Sequence, residues 1–519
     1  MWLYPEVRTL GELTAYYARH QPARIALIYD GRKIPFAELD LVANRVAHAL
    51  MARGVSQADR IGFLGKNSPD FYFAMFGVAK TRACFTPLNW RLSTGELADL
   101  IRDSETRLAL VERDFAVAWA EACRLAEAEV ETIFIDSVDT LESLVATASS
   151  QPSELFISEE DSVIQLYTSG TTGRCKGVVL THGSVNRMRL CEHLEPAYDW
   201  REGDSFVNPL PNFHLLHIGI ALQCLYNGVS VTSVRQFEPA SVLAAIGRER
   251  PSLLTVTPTM LQLLLDHPDA ASTDFSSLRL TLYAGSPISL GLIKRAISIM
   301  PCQFMQFYGA TEAGGAFSIL RPEEHDLTDE KKLQSCGRPL PLVEFRVVDI
   351  DGQEAPIGQP GELLIRSPAI MAGYWRQEHV TKAVLSHGWY RSGDVAWRDG
   401  DGFYYIVDRL KDMIVSGGEN IYSAEVENVL STHPAVAAVA VIGVPDPRWG
   451  EAVKAIVIPL AGAPCAEADL LGYCRERLAA YKLPKSIDFV SSFPLVASGK
   501  VSKKELRERY WSGHDRSVA

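Results

Sequence analysis

Residues 167–177, YTSGTTGRCKG, separate two apolar runs with a stretch that has almost no apolar side chain. Before it lies DSVIQL (161–166), whose apolar end reads as a strand; GVVLTH (177–182) after it reads as another. The stretch carries three glycines, five hydroxyl side chains, an arginine and a lysine. Glycine reaches φ > 0 without a steric penalty, so successive N–H groups can converge on one anion. The flanks must therefore sit in a sheet, and the loop must present N–H groups, hydroxyls and cations together. A polyphosphate is the ligand this implies.

Spacing separates this loop from two other kinds. The phosphate loop of ordinary NTPases needs G-x-x-x-x-G-K followed by Ser or Thr. Counted from Gly170, the second glycine position holds Cys175, and Lys176 is followed by Gly177, so the match fails. A plain hairpin turn would also be rich in Ser, Thr and Gly. Hairpin loops usually span about two to five residues, and a polar stretch of eleven with two cations is long for that.

Four more motifs follow in order: FYGATEAGG (307–315), GWYRSGD (388–394), DRLKDMIVSGGEN (408–420) and SGKVSKKELR (498–507). With the loop, they resemble the signature motifs of the adenylate-forming superfamily: acyl-CoA synthetases, nonribosomal peptide adenylation domains and beetle luciferases. The resemblance runs from the first third of the chain nearly to its end. One position departs from it. Most relatives carry proline where this chain has Cys175, a change that loosens the loop but removes no catalytic atom.

A length of 519 residues suggests more than one domain. The 51 basic and 63 acidic side chains give a net charge of −12, which argues against nonspecific nucleic-acid binding. A local basic groove for nucleotide and CoA phosphates stays compatible with that balance. The N-terminus, MWLYPEVRTL, puts Glu6 and Arg8 where a secretory signal would be apolar. The nine cysteines include no C-x-x-C pair; even Cys465 and Cys474 lack zinc-site spacing, so reduced thiols and a cytoplasmic location are expected. Between Asp204 and Arg235 there is no Asp, Glu, Lys or Arg, but Pro209, Pro211, Asn212, Gln223 and the Asn227–Gly228 pair break the run. A core helix between two buried strands, not a membrane span, is expected there. Assembly as a homo-oligomer stays open.

The pattern alternates β and α. Strand-like runs at 253–257, 278–284 and 304–308 are interleaved with helical patterns at 260–267 and 290–300. Such alternation makes layered α/β domains with ligand loops at strand ends. After about residue 337 the reading turns β-rich, with VEFRVVDI, a turn at Asp351–Gly352, GELLIRS and GFYYIVD. Beyond Asp412 comes a compact unit: a helix near 423–433, strands AVAAVAVIG and AVKAIVI, and a helix around 468–480. The fold class is α/β: a large N-terminal domain of layered sheets and helices, made of several subdomains, plus a small α+β C-terminal domain.

The resemblance supplies the rest. It implies an AMP-binding domain over residues 1–409 and a mobile C-terminal domain over 410–519, with the hinge near Lys411. It implies ATP, Mg2+ and coenzyme A as cofactors and a small carboxylic acid as substrate. The carboxylate attacks the α-phosphate of ATP, giving an acyl-adenylate and pyrophosphate; a thiol then displaces AMP. Bringing an anion against a polyphosphate requires a metal and cations. Glu312 is the implied magnesium ligand. Thr311, Thr168, Ser169, Gly170, Thr171, Thr172, Gly173 and Lys176 would hold phosphate oxygens. Tyr308 would stack on adenine beside Gly285 and Ser286, and Asp394 would bind the ribose hydroxyls with help from Arg409. Lys500 would bridge carboxylate and α-phosphate during adenylation. Rotation at Lys411 would then withdraw it and bring Gly417 and Gly418 to the pantetheine path.

His214 matches the position that approaches the substrate carboxylate or the thiol channel, whereas His217 reads as a satisfied core or pocket residue. The implied acyl pocket, around 214–237, 257–260, 283–287 and 309–317, is lined mainly by small or apolar residues. Fatty acid is the first choice of substrate; an aromatic or alicyclic acid is the alternative, and loading of a carrier protein a further one. The SGGEN motif is common in fatty-acyl and alicyclic acyl-CoA synthetases, and with the chain ending soon after Lys500 an appended carrier domain is not expected. Arg187 and Arg189 could bind a second carboxylate, but exposed helix positions are expected for both.

Overall fold

The computed structural model describes residues 6–136, 141–142, 145–168, 175–410, 412–416, 419–460, 462, 464–495 and 501–511, with the backbone alone at Asn420. Among the described residues the strands form four sheets. The first has seven strands, with Arg60–Leu64, Cys84–Pro87, Thr106–Glu112 and Ser162–Thr168 running parallel in its middle. The second has nine, and its parallel centre contains Ser230–Ser233, Ser205–Asn208, Leu253–Val256, Leu280–Ala284 and Gln303–Ala310. Most residues of these central strands are buried, many of them Val, Ile, Leu or Phe, as in strands covered on both faces, while the end of Gln303–Ala310 is open.

Helices carry the chain between the parallel strands. Leu215–Tyr226 connects Ser205–Asn208 to Ser230–Ser233, and Pro258–Asp266 connects Leu253–Val256 to Leu280–Ala284. The charge-free segment is thus a core helix between two buried strands, as expected. Helix Pro69–Ala79 is buried at every position. Phe71 meets the ring of His217 edge-on at 5.6 Å, which packs this helix against Leu215–Tyr226. One hydrophobic core accordingly contains residues of both large sheets.

The β-rich region forms an antiparallel sheet of Glu344–Val348, Gly361–Arg366, Trp389–Arg398 and their partners, and Gly352 has φ +76° in the anticipated turn. Phe345 and Tyr390 dock it on the nine-stranded sheet through Tyr308 and Phe317. From Ile414 onward the apolar residues gather in cores of their own, around a sheet of Val436–Asp446, Gly450–Pro459 and shorter strands. Helices Ser423–Ser431, Glu467–Arg475 and Lys503–Trp511 accompany it. The large and small α/β parts match the expected fold class. Lys411 lies outside the described residues, and a boundary at residue 409 stays our proposal.

Candidate active site

The parallel strands of the nine-stranded sheet end on one side in the residues singled out from the sequence. Strand Leu280–Ala284 runs into Gly285 and Ser286, Leu253–Val256 into Thr257, and Gln303–Ala310 into Thr311 and Glu312. Ligands of open α/β sheets bind at these carboxyl ends. Gly285 has φ +95°, a conformation that disfavours a side chain, and sits exposed at the strand tip.

The phosphate-loop flanks belong to the other large sheet. Strands Ser162–Thr168 and Lys176–Thr181 pair antiparallel with Thr168 opposite Lys176, so the strands reach further into the motif than the apolar runs suggested. Ser169, Gly170, Thr171, Thr172 and Gly173 lie outside the described residues. The base of the hairpin is braced: Tyr167 donates to Asp103 at 2.7 Å and accepts from Gln165 at 3.0 Å. Cys175 packs against the same apolar cluster as Tyr167, and burial pushes its thiol pKa up. The position occupied by proline in most relatives is therefore an apolar packing point here, not a reactive thiolate.

Glu312 sits in a single 3-10 turn, Thr311–Ala313, closed by Gly314 at φ +67°. So short a turn has little macrodipole, and the glutamate is held by contacts instead. The Tyr374 hydroxyl donates to Glu312 Oε1 at 2.8 Å, and the Met371 N–H donates to the Glu312 carbonyl at 2.8 Å. Burial and the Glu312 charge both raise the Tyr374 pKa. Tyr374 is placed by strand Gly373–Tyr374, which pairs with Lys176–Thr181 so that Tyr374 faces Val178. The Lys176 ammonium lies 4.9 Å from the Tyr374 ring centroid. Tyr374 thus ties the glutamate turn of one sheet to the loop flank of the other. The sequence reading missed it, and a Gly-Tyr-Trp triplet was the only signal.

Tyr308 is half-buried, and its hydroxyl donates to Asp394 Oδ2 at 2.5 Å. Arg409 Nε lies 2.6 Å from Asp394 Oδ1, a consequence of the strand register that sets Asp394 opposite Arg409. Burial, reinforced by the Asp394 charge, lifts the Tyr308 pKa well above its ordinary value, and Asp394 raises that of Arg409. An aromatic face, a carboxylate and a guanidinium are thereby joined at one place.

His214 is the residue preceding helix Leu215–Tyr226, its ring 4.4 Å from that of Phe213. His217 is fully buried, with Nδ1 2.7 Å from the Leu210 carbonyl and Nε2 3.1 Å from the Tyr72 hydroxyl. It is the satisfied core histidine expected. Among the described residues no group of three His, Cys, Asp or Glu could hold a metal ion. A magnesium ion on Glu312 fits that donor set, because Mg2+ is usually bound by one or two carboxylates together with substrate phosphates and water. Lys500, Lys411, Gly417 and Gly418 lie outside the described residues.

One expectation fails. Arg189 is not on an exposed face: it is 1% exposed, and its Nε and Nη2 each approach a Glu192 oxygen at 3.0 Å. It also donates to the carbonyls of Gly219 and, at 3.3 Å, Gly314. A buried partner three residues on outweighs the usual preference of arginine for solvent. Arg187 is partly exposed, beside Glu159 and Glu160.

Comparison with known proteins agrees with this arrangement. The profile of the AMP-binding enzyme family matches residues 15–375, and that of the AMP-binding enzyme C-terminal domain matches residues 425–500. The chain belongs to the AMP-binding enzyme family. This AMP-binding enzyme is of the AMP-forming acyl-CoA synthetase type. It is 37% identical to a fatty acid–[acyl-carrier-protein] ligase of Streptomyces coeruleorubidus, over 99% of each chain. It is 38% identical to a feruloyl-CoA synthase of an Amycolatopsis species, over 96% of this chain and 99% of the other. The ATP-bound structure of MatB from Rhodopseudomonas palustris superposes with a TM-score of 0.87 at 29% identity, covering 96% of this AMP-binding enzyme and 99% of that chain. No helix among its described residues is long and apolar enough to cross a membrane.

Proposed function

We propose that this AMP-binding enzyme activates an apolar carboxylic acid, fatty or aromatic, with ATP and then transfers the acyl group to the thiol of coenzyme A, releasing pyrophosphate and AMP. The observation that carries the reading is the closeness of two groups, Glu312 with Tyr374 and Lys176, and Tyr308 with Asp394 and Arg409, the Arg409 charge being felt by both Glu312 and Tyr374.

Each group has a part suited to its chemistry. The Tyr308 ring offers a face to adenine, and Asp394, held by Tyr308 and Arg409, accepts from ribose hydroxyls. Thr168, Lys176 and the loop between them cradle the phosphates with Thr311. Magnesium on Glu312 would offset negative charge among the phosphates. Lys500 steadies the carboxylate as it attacks, and His214 borders the reacting centre. With the small domain turned about Lys411, Gly417 and Gly418 let the pantetheine arm pass the backbone.

An apolar acid is favoured because the residues around the cleft, such as Gly309, Ala310 and Ala316, carry no charge. Transfer to a carrier protein is the second reading, favoured by the similarity to the fatty acid–[acyl-carrier-protein] ligase over nearly the whole chain. A screen of pyrophosphate release over varied carboxylic acids, with and without CoA, tests both. Release with apolar acids and thioester formation on free CoA is expected; adenylate that accumulates beside CoA would favour the carrier. Binding of ATP without pyrophosphate release from any acid would rule out the ligase reading.

A further inference from the structure

Arg189 is an unusual side chain to find inside a cleft that serves an apolar acid. It leaves helix His182–His193 and enters the protein beneath the site, where a charge survives only if its hydrogen bonds are satisfied. Glu192 supplies two of its contacts, both at 3.0 Å. The other two reach in different directions. One goes to the carbonyl of Gly219, in the second turn of the helix that begins after His214; the other goes to the carbonyl of Gly314, which closes the Glu312 turn. The guanidinium is a crosspiece between helix Leu215–Tyr226 and the Glu312 turn, two segments implied to border the acyl group.

The two sides of the crosspiece differ. A Cβ at Gly315 would lie 2.9 Å from Arg189 Nη2 and 2.7 Å from Met188 Cγ, so that side is full, whereas a Cβ at Gly219 would meet only Nη1 within 4 Å, at 3.9 Å, so space opens toward the guanidinium there. Behind it Glu192, Tyr198 and Gln223 are all buried. From His214 to Gly219 the helix advances about 7.5 Å, room for an aromatic ring on a short tether or a chain of about six carbons. A longer chain on this course must displace a guanidinium that is charged, buried and bonded to Glu192, Gly219 and Gly314.

We infer that Arg189, pinned by Glu192, is the specificity-determining residue that ends the acyl cavity, so that the enzyme accepts compact acids, aryl or short-chain, and rejects long linear ones. This rests on the ligase reading above. It narrows that reading from apolar acids in general to those that stop short of the crosspiece, and it removes Arg189 as a receptor for a second carboxylate, since its donors are already engaged.

The experiment measures kcat/KM for acid-dependent ATP–pyrophosphate exchange with butanoate, octanoate, palmitate, benzoate and cinnamate. It compares the full-length enzyme with the paired variant Arg189→Met/Glu192→Gln, which removes both charges together so that neither is left alone. The parent is expected to favour the best compact acid over palmitate by at least about tenfold, and the variant to shrink that ratio by about tenfold, through KM for the long acid. Arg189→Lys, which keeps the charge but cannot span both carbonyls, should fall between the two. A parent that uses palmitate as well as the compact acids overturns the inference. So does a variant with unchanged circular dichroism and an unchanged length profile. If the paired variant does not fold, the parent profile and Arg189→Lys decide. Absence of exchange with every acid instead overturns the ligase reading, and this inference with it.

Discussion

The hydroxyl of Tyr374 is bonded to Oε1 of Glu312 at 2.8 Å, although the two residues lie on segments that pair with different sheets. Tyr374 ends the strand that extends the phosphate-loop hairpin, and Glu312 follows the last parallel strand of the nine-stranded sheet. A hydrogen bond to a charged group is worth about 1.5–3 kcal/mol. Tyr374→Phe should therefore leave the fold intact and lower adenylation roughly tenfold or more, about 1.4 kcal/mol per decade. The loss should be partly recovered at high magnesium if Tyr374 orients the metal ligand. Pyrophosphate release titrated with Mg2+ checks this; an unchanged magnesium dependence would remove the assigned role.

Asp394 is held between Tyr308 at 2.5 Å and Arg409 at 2.6 Å. Asp394→Asn loses the charge that pairs with Arg409 and one acceptor for a ribose hydroxyl. KM for ATP should rise by about one to two decades, with a much smaller change in KM for the acid. Equal changes in both would point to general damage to the cleft.

Lys500→Ala should suppress adenylation while sparing thioester formation from supplied acyl-adenylate. Loss of one transition-state cation costs roughly 3–4 kcal/mol, the scale of an oxyanion-hole donor. Half-reactions assayed separately, by pyrophosphate exchange and by CoA consumption, would show whether only the first is lost.

Gly315 is small for an internal reason. Its Cβ would point at Met188 Cγ, 2.7 Å away, so Gly315→Ala overpacks the interior and should cost about 1–3 kcal/mol of stability. Denaturant unfolding should show this as a lower midpoint. A midpoint equal to that of the parent would mean that Met188 and Arg189 yield without cost.

Burial lowers the pKa values of His182 and His217 to about 4, against an ordinary value of 6.5. Both are neutral in the folded protein where the unfolded chain would already bind protons. The stability this represents is complete above about pH 6.5 and is lost as the pH falls toward 4, by up to about 3 kcal/mol for each histidine. Urea midpoints measured from pH 7 to pH 4 should fall accordingly, and His217→Gln should flatten the curve. A flat profile in the parent would mean the rings are protonated in the fold.

Much of the architecture is legible along the chain because it depends on local pattern. Continuous apolar runs mark buried parallel strands, and the prolines, asparagines and Asn227–Gly228 turn rule out a spanning helix before any coordinate is known. The motif order carries the family, since each motif holds its chemistry in adjacent residues: Thr311 with Glu312, Gly285 with Ser286.

What the chain alone could not express is which distant residues meet. Tyr374 is one aromatic among many until the pairing with Val178 aims it at Glu312. Arg189 reads as a solvent-facing side chain, because arginine usually is one, until Glu192 and two backbone carbonyls are folded around it. Asp394 and Arg409 share a site through strand register alone. Local sequence determined the elements and the chemistry available at their ends; tertiary packing decided which charges were buried and paired, because only the assembled fold sets the distance across which they interact.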